Sequence, residues 1–205
     1  MLQTPVGNHK HTGTAQGENQ KIQGASVFVE DGIIREIFSQ PDVAGMDGDT
    51  VIDAEGKLVT PGLIDGHTHL VFGGYRQHEI PLKLRGASYL EILKAGGGIL
   101  DTVKETRKAT FQELVEKSTG FLDEMLGLGV TTCEAKSGYG LNPVDERKTL
   151  KVIKELNETH PMDVVATFMG AHAVPPEYKG NAHGYIDFLC RELLPQVRKE
   201  NLAEF

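Results

Sequence analysis

The amino-acid sequence predicts an α/β fold in which a small β unit precedes strands and helices that alternate along the chain. Two short β-branched segments meet at an Asp-Gly pair early in the sequence. From residue 58 onward, apolar strand-like segments alternate with segments whose apolar residues recur every three or four positions. The predicted strands end in glycines and polar residues, and parallel α/β sheets bind their ligands at those strand ends.

The composition is that of an ordinary folded protein. Of 205 residues, 39% are hydrophobic and 24% are charged, and the formal net charge is −8. Phosphate binding needs Lys and Arg, so this acidic chain is not expected to bind nucleic acid. No apolar run approaches the roughly 18 to 20 residues that cross a bilayer, and the polar first residues predict no export signal. Two cysteines without CxxC spacing, Cys133 and Cys190, favour a reducing, cytoplasmic location.

Three segments are expected along the chain. Residues 1–23 are polar and Gly-rich, and they predict a flexible N-terminal segment because they bury too little apolar surface to offset the entropy of ordering. Residues 24–57 predict a small β unit, and residues 58–205 predict a parallel sheet with helices packed outside it. A complete (β/α)8 barrel takes about 250 residues, more than the third segment contains.

The small β unit is expected to centre on a hairpin. Segments 25–30 and 33–38 are rich in β-branched residues, and the Asp31-Gly32 pair between them is a strong hairpin signal. Two further short strands are expected after it, at 50–53 and 57–59.

The third segment carries clear helix signals. One helix begins at Thr110, which forms a capping box with Glu113, and the next begins at Asn142 with Pro143 in its first turn. Pro195 is expected to kink the last helix. Strands are expected at 59–70, 130–136 and 164–169, the last helix at 184–199, a long loop at 71–98 and the approach to a further strand at 201–205.

Two histidines, His67 and His69, follow the first apolar strand of this segment. Residues i and i+2 of an extended segment point to the same side, and neutral imidazole is a good ligand for Zn or Fe(II). The spacing alone leaves two interpretations open, metal ligands or hydrogen-bonded structural histidines. His9 and His11 repeat the spacing in a polar stretch, where solvated side chains are expected.

Four other residues are candidates for substrate contacts. Arg76 on the Gly-rich loop suits a carboxylate, or is a surface charge. Tyr139 between two glycines can donate to a ligand or cover the core, and His172 lies among small residues that leave room for a ligand. Tyr89 either contributes to the rim of the pocket or packs.

Some polar residues near the strand ends carry no assignment. The orientations of Cys133, Glu134 and Lys136 stay open. The glycine run 96–98 lacks the Lys-Ser/Thr of a P-loop and does not predict a nucleotide site. Structural or exposed histidines are expected at His78, His160 and His183.

Four separated strings carry a resemblance to a known family. They are PGLIDGHTH at 61–69, LKAGGGIL at 93–100, CEAKSGYGL at 133–141 and FMGAHAVPPEY at 168–178. The first resembles the metal-binding opening of the amidohydrolase superfamily, and together the four resemble the imidazolonepropionase family within it. The resemblance extends from about residue 24 onward and implies a partial TIM-type (β/α) barrel of the amidohydrolase kind.

The resemblance implies an activity and roles for individual residues. The activity is hydrolysis of the ring C–N bond of 4-imidazolone-5-propanoate to N-formimidoyl-L-glutamate in histidine degradation, with one divalent metal, Zn or Fe. His67 and His69 match metal ligands, and Arg76 matches the arginine that holds the propionate carboxylate of this small anionic substrate. Tyr139 matches a substrate-contacting tyrosine, and His172 matches a catalytic histidine beside the ring.

The resemblance also implies ligands that this sequence does not contain. A later histidine and an aspartate of the family lie beyond residue 205, and a catalytic zinc usually has three protein ligands, so the chain alone is expected to be weak or inactive. Two alternatives stay open, namely another cyclic amidase such as a hydantoinase or a dihydroorotase-like hydrolase, and a non-catalytic remnant. The choice between Zn and Fe as the metal stays open. One expectation is that the full-length enzyme forms a homodimer.

Overall fold

The computed structural model of the chain describes residues 1–6, 12–39 and 50–205. The chain divides into two compact units, Met1–Pro61 and Gly62–Phe205. Sequence patterning favours a boundary a few residues earlier, after residue 57. His9 and His11, expected as solvated side chains, lie outside the described residues.

The first unit contains two antiparallel strand pairs. The predicted hairpin is confirmed, with Val27 opposite Ile37 and with Asp31 and Gly32 of the turn at positive φ, 51° and 73°. A second strand pair forms within the segment expected to be flexible, and a short 3-10 helix, Gly13–Gly17, lies between its two strands in the chain. The pair forms because the two backbones bond to each other, although their side chains bury little surface. The strands are β1 Leu2–Pro5, β2 Asn19–Ile22, β3 Ser26–Glu30 and β4 Ile33–Phe38.

The two further strands expected in the first unit do not form. Val51 and Ile52 are 79% and 87% exposed, and Val59 makes only a parallel bridge to Leu2. The prediction was wrong because β-branched residues favour a strand only where a partner strand and a packed face are available.

The second unit contains a three-stranded parallel sheet in the order β5-β6-β7. Several helices lie between β5 and β6, the last of them α4 (Phe111–Gly127), and α5 (Pro143–Thr159) connects β6 to β7, which confirms the predicted α/β alternation. Within the described residues the strands form small sheets and no closed barrel. The strands are β5 Leu63–Thr68, β6 Val130–Lys136 and β7 Asp163–Thr167, and the helices are α4 Phe111–Gly127 and α5 Pro143–Thr159.

The caps of α4 and α5 agree with the sequence. Thr110 and Glu113 form both hydrogen bonds of the capping box, and the Asn142 side chain accepts a hydrogen bond from the Asp145 N–H. Such caps satisfy backbone N–H groups that have no partner within the helix.

The segment 71–98, predicted as one long loop, contains helical turns. Ser88 caps a two-turn helix through a capping box with Glu91, but glycines on both sides obscure its periodicity. The region holds a 3-10 helix, Gln77–Glu79, then α1 Ile80–Leu84 and α2 Tyr89–Lys94, and α3 Ile99–Lys108 follows directly.

The last helical region is irregular next to Pro195, where the sequence predicts a kink. Its backbone widens into a π-helical stretch, Leu189–Leu193, immediately before the proline. Pro195 has no N–H to donate, so one hydrogen bond of the helix cannot form there. The wider π-helical turn before it accommodates this missing hydrogen bond. The flanking helices are α6 Ala182–Phe188 and α7 Leu194–Lys199.

The core of the second unit lies between one face of the sheet and the helices. Cys133 and Ala135 of β6 point into it, while Thr132, Glu134 and Lys136 alternate onto the opposite face. Beside β7, the Phe168 N–H donates to the Phe205 carbonyl and the Glu204 N–H donates to the Ala166 carbonyl, as expected for the approach to a strand. The fully buried aliphatic residues include Leu114, Leu122, Leu150, Val152, Ile153 and Leu156.

Candidate functional site

Four aromatic rings gather where the three parallel strands end at their carboxyl side. His67 lies in β5 and His69 just after it, Tyr139 lies in the loop after β6, and His172 lies after β7. The centroid of the His69 ring is 4.4 Å from that of His172, in a stacked pair, and 5.0 Å from that of Tyr139. The His67 and His69 centroids are 5.9 Å apart. We call these four residues the ring cluster.

The two neighbouring histidines of the ring cluster differ in environment. His67 is exposed and His69 is partly buried. Burial, followed by the charges of His172 and His67, lowers the pKa of His69 to about 4, so its imidazole is neutral near pH 7. Its Nδ1 is buried and has no hydrogen-bond partner within the described residues. A neutral imidazole with an unpartnered nitrogen fits the role of a metal ligand.

The described residues do not complete a metal site by themselves. Across residues 1–6, 12–39 and 50–205, no group of three or more His, Cys, Asp or Glu side chains is arranged to hold a metal ion. The ring of His172 stacks on that of His69 at an interplanar angle of 11°. His67 and His69 stay the two predicted ligands.

Arg76 lies close to the tyrosine of the ring cluster. Burial raises the pKa of Tyr139, and the positive charge of Arg76 acts in the opposite direction. The Nε atom of Arg76 lies 3.8 Å from Oε1 of Glu79, whereas its two terminal nitrogens form no hydrogen bond with any described residue. The free end of the guanidinium can therefore bind a carboxylate by two parallel hydrogen bonds.

A buried carboxylate that the sequence analysis missed explains the glycine run 96–98. Glu79 is 2% exposed, and its Oε1 accepts a hydrogen bond of 2.6 Å from the Gly98 N–H. A Cβ at Gly97 would lie 2.8 Å from the same oxygen. Burial alone would raise the pKa of Glu79, but the Gly98 hydrogen bond and the charges of Lys83 and Arg76 hold it below its ordinary value.

The structure decides the orientations that the sequence leaves open on β6. Cys133 points into the core, where burial raises the pKa of its thiol to about 11. Glu134 and Lys136 form an ion pair on the opposite face, and Thr167 donates to Oε1 of Glu134 at 2.5 Å. The Lys136 charge contributes to the lowered pKa of His69, so this ion pair lies on the same side of the sheet as the ring cluster.

Among the described residues, neither Tyr89 nor any of the histidines His78, His160 and His183 contacts the ring cluster. Tyr89 begins α2 and is 59% exposed. His78 lies 3.7 Å from Asp101, His160 accepts a hydrogen bond from the Met162 N–H, and His183 is exposed on α6.

Comparison with known proteins gives matches over nearly the whole chain. Residues 50–88 match a model described as Amidohydrolase family. Imidazolonepropionase of Bacillus cytotoxicus is 51% identical over 184 residues, which cover 90% of this chain and 43% of that protein. Imidazolonepropionase of Streptococcus gordonii is 51% identical over 199 residues, 96% of this chain and 47% of that protein. The Brevibacillus brevis protein of the same name is 50% identical over 94% of this chain.

The chain is related in sequence to the imidazolonepropionases. This relationship agrees with the resemblance carried by the four strings, and the chain spans about half the length of the relatives it matches. Within the described residues, no helix is both long enough and apolar enough to span a membrane.

Proposed function

We propose that this chain forms the part of an imidazolonepropionase-type hydrolase that contributes two metal ligands and the substrate-binding residues. The substrate is 4-imidazolone-5-propanoate, whose ring C–N bond is hydrolysed to give N-formimidoyl-L-glutamate in histidine degradation. The observation that carries the proposal is the ring cluster, with the unpartnered Nδ1 of His69 at its centre. Identity of about 50% to imidazolonepropionases supports the choice of substrate.

His67 and His69 would hold one divalent metal, Zn or Fe. When bound, such a metal supplies a Lewis acid for the ring carbonyl and a source of hydroxide at neutral pH. The lowered pKa of His69 keeps its ring neutral, the form that binds a metal, throughout the physiological range.

The other residues bind the substrate and handle its protons. Arg76 takes the propionate carboxylate through the free end of its guanidinium. Tyr139 stays protonated because burial raises its pKa, and it donates a hydrogen bond to the substrate. The Nδ1–H of His172 donates to the Gly138 carbonyl at 3.2 Å, so Nε2 faces the ring that is opened and accepts or returns a proton there. Tyr89 is proposed as a residue of the outer rim.

We propose the following organisation for the chain. Residues 24–57 form a small β unit after an N-terminal segment at 1–23, and residues 58–205 form the N-terminal part of a TIM-type barrel. The parallel order of β5, β6 and β7 and the helices between them support this proposal. The enzyme acts in the cytoplasm on a small molecule, and full-length copies form a homodimer.

The first test measures activity and metal content together. The 205-residue chain and a version extended by its downstream sequence are assayed for bound Zn and Fe and for opening of 4-imidazolone-5-propanoate, hydantoin and dihydroorotate. We expect the extended protein to bind one metal and open only the imidazolone, and the shorter chain to be weak or inactive. Turnover of hydantoin or dihydroorotate instead would favour the other cyclic amidases, and no turnover with an intact fold would favour the non-catalytic remnant.

The second test concerns the carboxylate of the substrate. In the extended protein, Arg76→Ala is expected to raise KM for 4-imidazolone-5-propanoate by about 10- to 100-fold, the loss typical of a hydrogen-bonded charge. Arg85→Ala is the matched control, since Arg85 is exposed and, in the part of the chain that the structure describes, its side chain bonds only to the Pro81 carbonyl. An unchanged KM in Arg76→Ala would show that another group binds the carboxylate.

A further inference from the structure

Glu146 is a completely buried glutamate that no candidate role above uses. It lies in the first part of α5 and is 0% exposed. Its Oε1 accepts hydrogen bonds from the backbone N–H groups of Gly140 at 2.7 Å and Leu141 at 2.8 Å, and its Oε2 accepts one from Gly138 at 3.2 Å. Three backbone donors from one short loop thus converge on a single carboxylate.

This loop, residues 137–141, has a backbone that needs such an acceptor. Gly138 has a φ of 111° and Leu141 a φ of 53°, so the loop cannot continue the ladder of β6. A buried N–H without an acceptor costs roughly as much as a lost hydrogen bond, or more. The Glu146 carboxylate satisfies three of these donors at once, so it stabilises the loop in this conformation.

The loop carries or contacts two members of the ring cluster. Tyr139 lies between two of the residues whose N–H groups bind Glu146. The Gly138 carbonyl lies 3.2 Å from Nδ1 of His172, and a Cβ at Gly138 would lie 2.7 Å from the His172 Cβ. A carbonyl oxygen only accepts hydrogen bonds, so Nδ1 of His172 carries the hydrogen and Nε2 is left for a ligand.

We propose that Glu146 is a positioning residue, whose buried carboxylate fixes the 137–141 loop and thereby sets the place of Tyr139 and the Nδ1–H tautomer of His172. The influence on His172 passes from the carboxylate through the Gly138 peptide to the imidazole. The catalytic consequence rests on the proposed function, whereas the structural role of Glu146 does not depend on which substrate is used.

The first measurement is made on the unaltered 205-residue chain without metal or substrate. Nitrogen-15 spectra of the histidine rings at about pH 8, where an ordinary imidazole is neutral, report which nitrogen carries the hydrogen. His172→Gln identifies the signal of His172 by its absence. We expect the Nδ1–H tautomer to predominate. A predominant Nε2–H tautomer would overturn the proposal without any change at Glu146.

The second measurement uses Glu146→Gln, which preserves size but replaces one acceptor oxygen with a donor NH2 group. At least one of the three N–H groups then loses its acceptor. We expect amide hydrogen exchange at Gly138, Gly140 and Leu141 to accelerate by about tenfold or more, and the His172 tautomers to become mixed. Exchange at Val152 and Val164 in the core should not change.

The matched control is Glu158→Gln on the same helix. The Glu158 side chain is 59% exposed and, among the described residues, pairs only with Lys154, at 3.9 Å, so the control should leave both the loop exchange and the His172 tautomer unchanged. A folded Glu146→Gln variant with loop exchange and tautomer like those of the unaltered chain would contradict the proposal. If Glu146→Gln does not fold, Glu146→Asp, which keeps the carboxylate but shortens its reach, takes its place, and the same loop exchange and His172 tautomer decide.

Turnover separates this proposal from the function on which it rests. In the extended protein, Glu146→Gln is expected to lower kcat for 4-imidazolone-5-propanoate at least tenfold while the metal is retained, because the Glu146 carboxylate bonds to the loop N–H groups and not to His67 or His69. If the His172 tautomers become mixed and kcat does not change, Glu146 does not affect catalysis. A mixed tautomer in a protein that opens no imidazolone would refute the proposed function alone.

Discussion

The protein holds the two sides of the ring cluster in different ways. On the side of β6 and β7, the 137–141 loop gives three backbone N–H groups to Glu146 and its Gly138 carbonyl accepts from His172. On the side of β5, His67 is exposed, and Leu63 and Ile64 are 56% and 74% exposed. Within the described residues β5 pairs with β6 alone.

This difference separates two kinds of site residue. Tyr139 and His172 are oriented before any ligand arrives, because backbone hydrogen bonds and buried contacts fix the segments that carry them. His67 and Arg76 have few contacts of their own, Arg76 having one ion pair of 3.8 Å. We therefore expect changes in the 137–141 loop to have the largest effect on folding stability, and changes at His67 and Arg76 to affect mainly binding.

The largest effect is expected from a methyl group added at Gly140. A Cβ there would lie 2.3 Å from the Glu146 backbone nitrogen, whereas a Cβ at Gly66 in β5 meets nothing within 4 Å. Gly140→Ala should lower the free energy of unfolding by about 3 kcal/mol or more, since backbone must shift. Gly66→Ala should change it by less than about 0.5 kcal/mol. Urea denaturation measures both, and equal effects would show that the two sides are equally constrained.

An intermediate effect is expected from the pH dependence of stability. The folded chain lowers the pKa of His69 from 6.5 to about 4, so the folded state binds fewer protons than the unfolded state. This contribution to stability is fully present above pH 6.5 and is lost as the pH falls toward 4. Between pH 7 and 5 the metal-free chain should lose about 1 to 2 kcal/mol more than its His69→Asn variant.

The control for this effect is His183→Asn, since His183 is exposed on α6. It should follow the unaltered chain at every pH. The lowered pKa values of Glu79 and Glu134 start from 4.5 in the unfolded chain, so these groups act mainly below pH 5. Identical pH profiles for the unaltered chain and His69→Asn would contradict the assigned burial of His69.

The smallest effect is expected from the ammonium group that secures the segment before Arg76. Lys117 Nζ lies 3.6 Å and 3.7 Å from the ring centroids of Phe72 and Tyr75, and it donates to the Gly74 carbonyl at 2.7 Å. Lys117→Met keeps the apolar stem and removes the charge. It should lower stability by about 1 kcal/mol or less, because burial of the ammonium, which lowers its pKa to about 8, offsets part of the cation–π contact.

Lys108→Met is the matched control for Lys117. The Lys108 side chain is 61% exposed and forms a surface ion pair with Glu105 at 2.8 Å, so its loss should change stability by less than about 0.5 kcal/mol. Thermal denaturation of both variants compares them directly. A larger loss in Lys108→Met would contradict the role of the aromatic rings around Lys117.

Local signals predicted the elements that depend on few residues. The hairpin at Asp31-Gly32, the capping box of Thr110 and the Asn142 cap all formed as expected. Each depends on turn or cap chemistry within a few positions. The short helices α1 and α2 were missed because one or two turns between glycines leave no readable periodicity. The strands expected at 50–53 and 57–59 did not form, because Val51 and Ile52 are exposed and Val59 is joined to Leu2 by no more than a bridge.

The sequence predicts which kinds of residue form the candidate site, but not how they are arranged. His67, His69, Tyr139 and His172 were selected because polar residues at the ends of parallel strands come together. Neither Glu146 nor Glu79 was predicted as a site residue, although each lies near a Gly-rich turn in the sequence. A glutamate near the end of a helix is usually a solvated charge, and nothing local distinguishes the buried ones.

The sequence by itself determined the α/β alternation, the caps of α4 and α5, and the histidine pair after the first parallel strand, because these depend on spacing and on neighbours in the chain. Only the tertiary structure decided that Cys133 faces the core, that Glu146 lies beneath the 137–141 loop, and that Nδ1 of His172 lies 3.2 Å from the Gly138 carbonyl. Burial and hydrogen-bond partners depend on contacts between residues far apart in the chain. The chemical role of a side chain is fixed by those contacts as much as by its type.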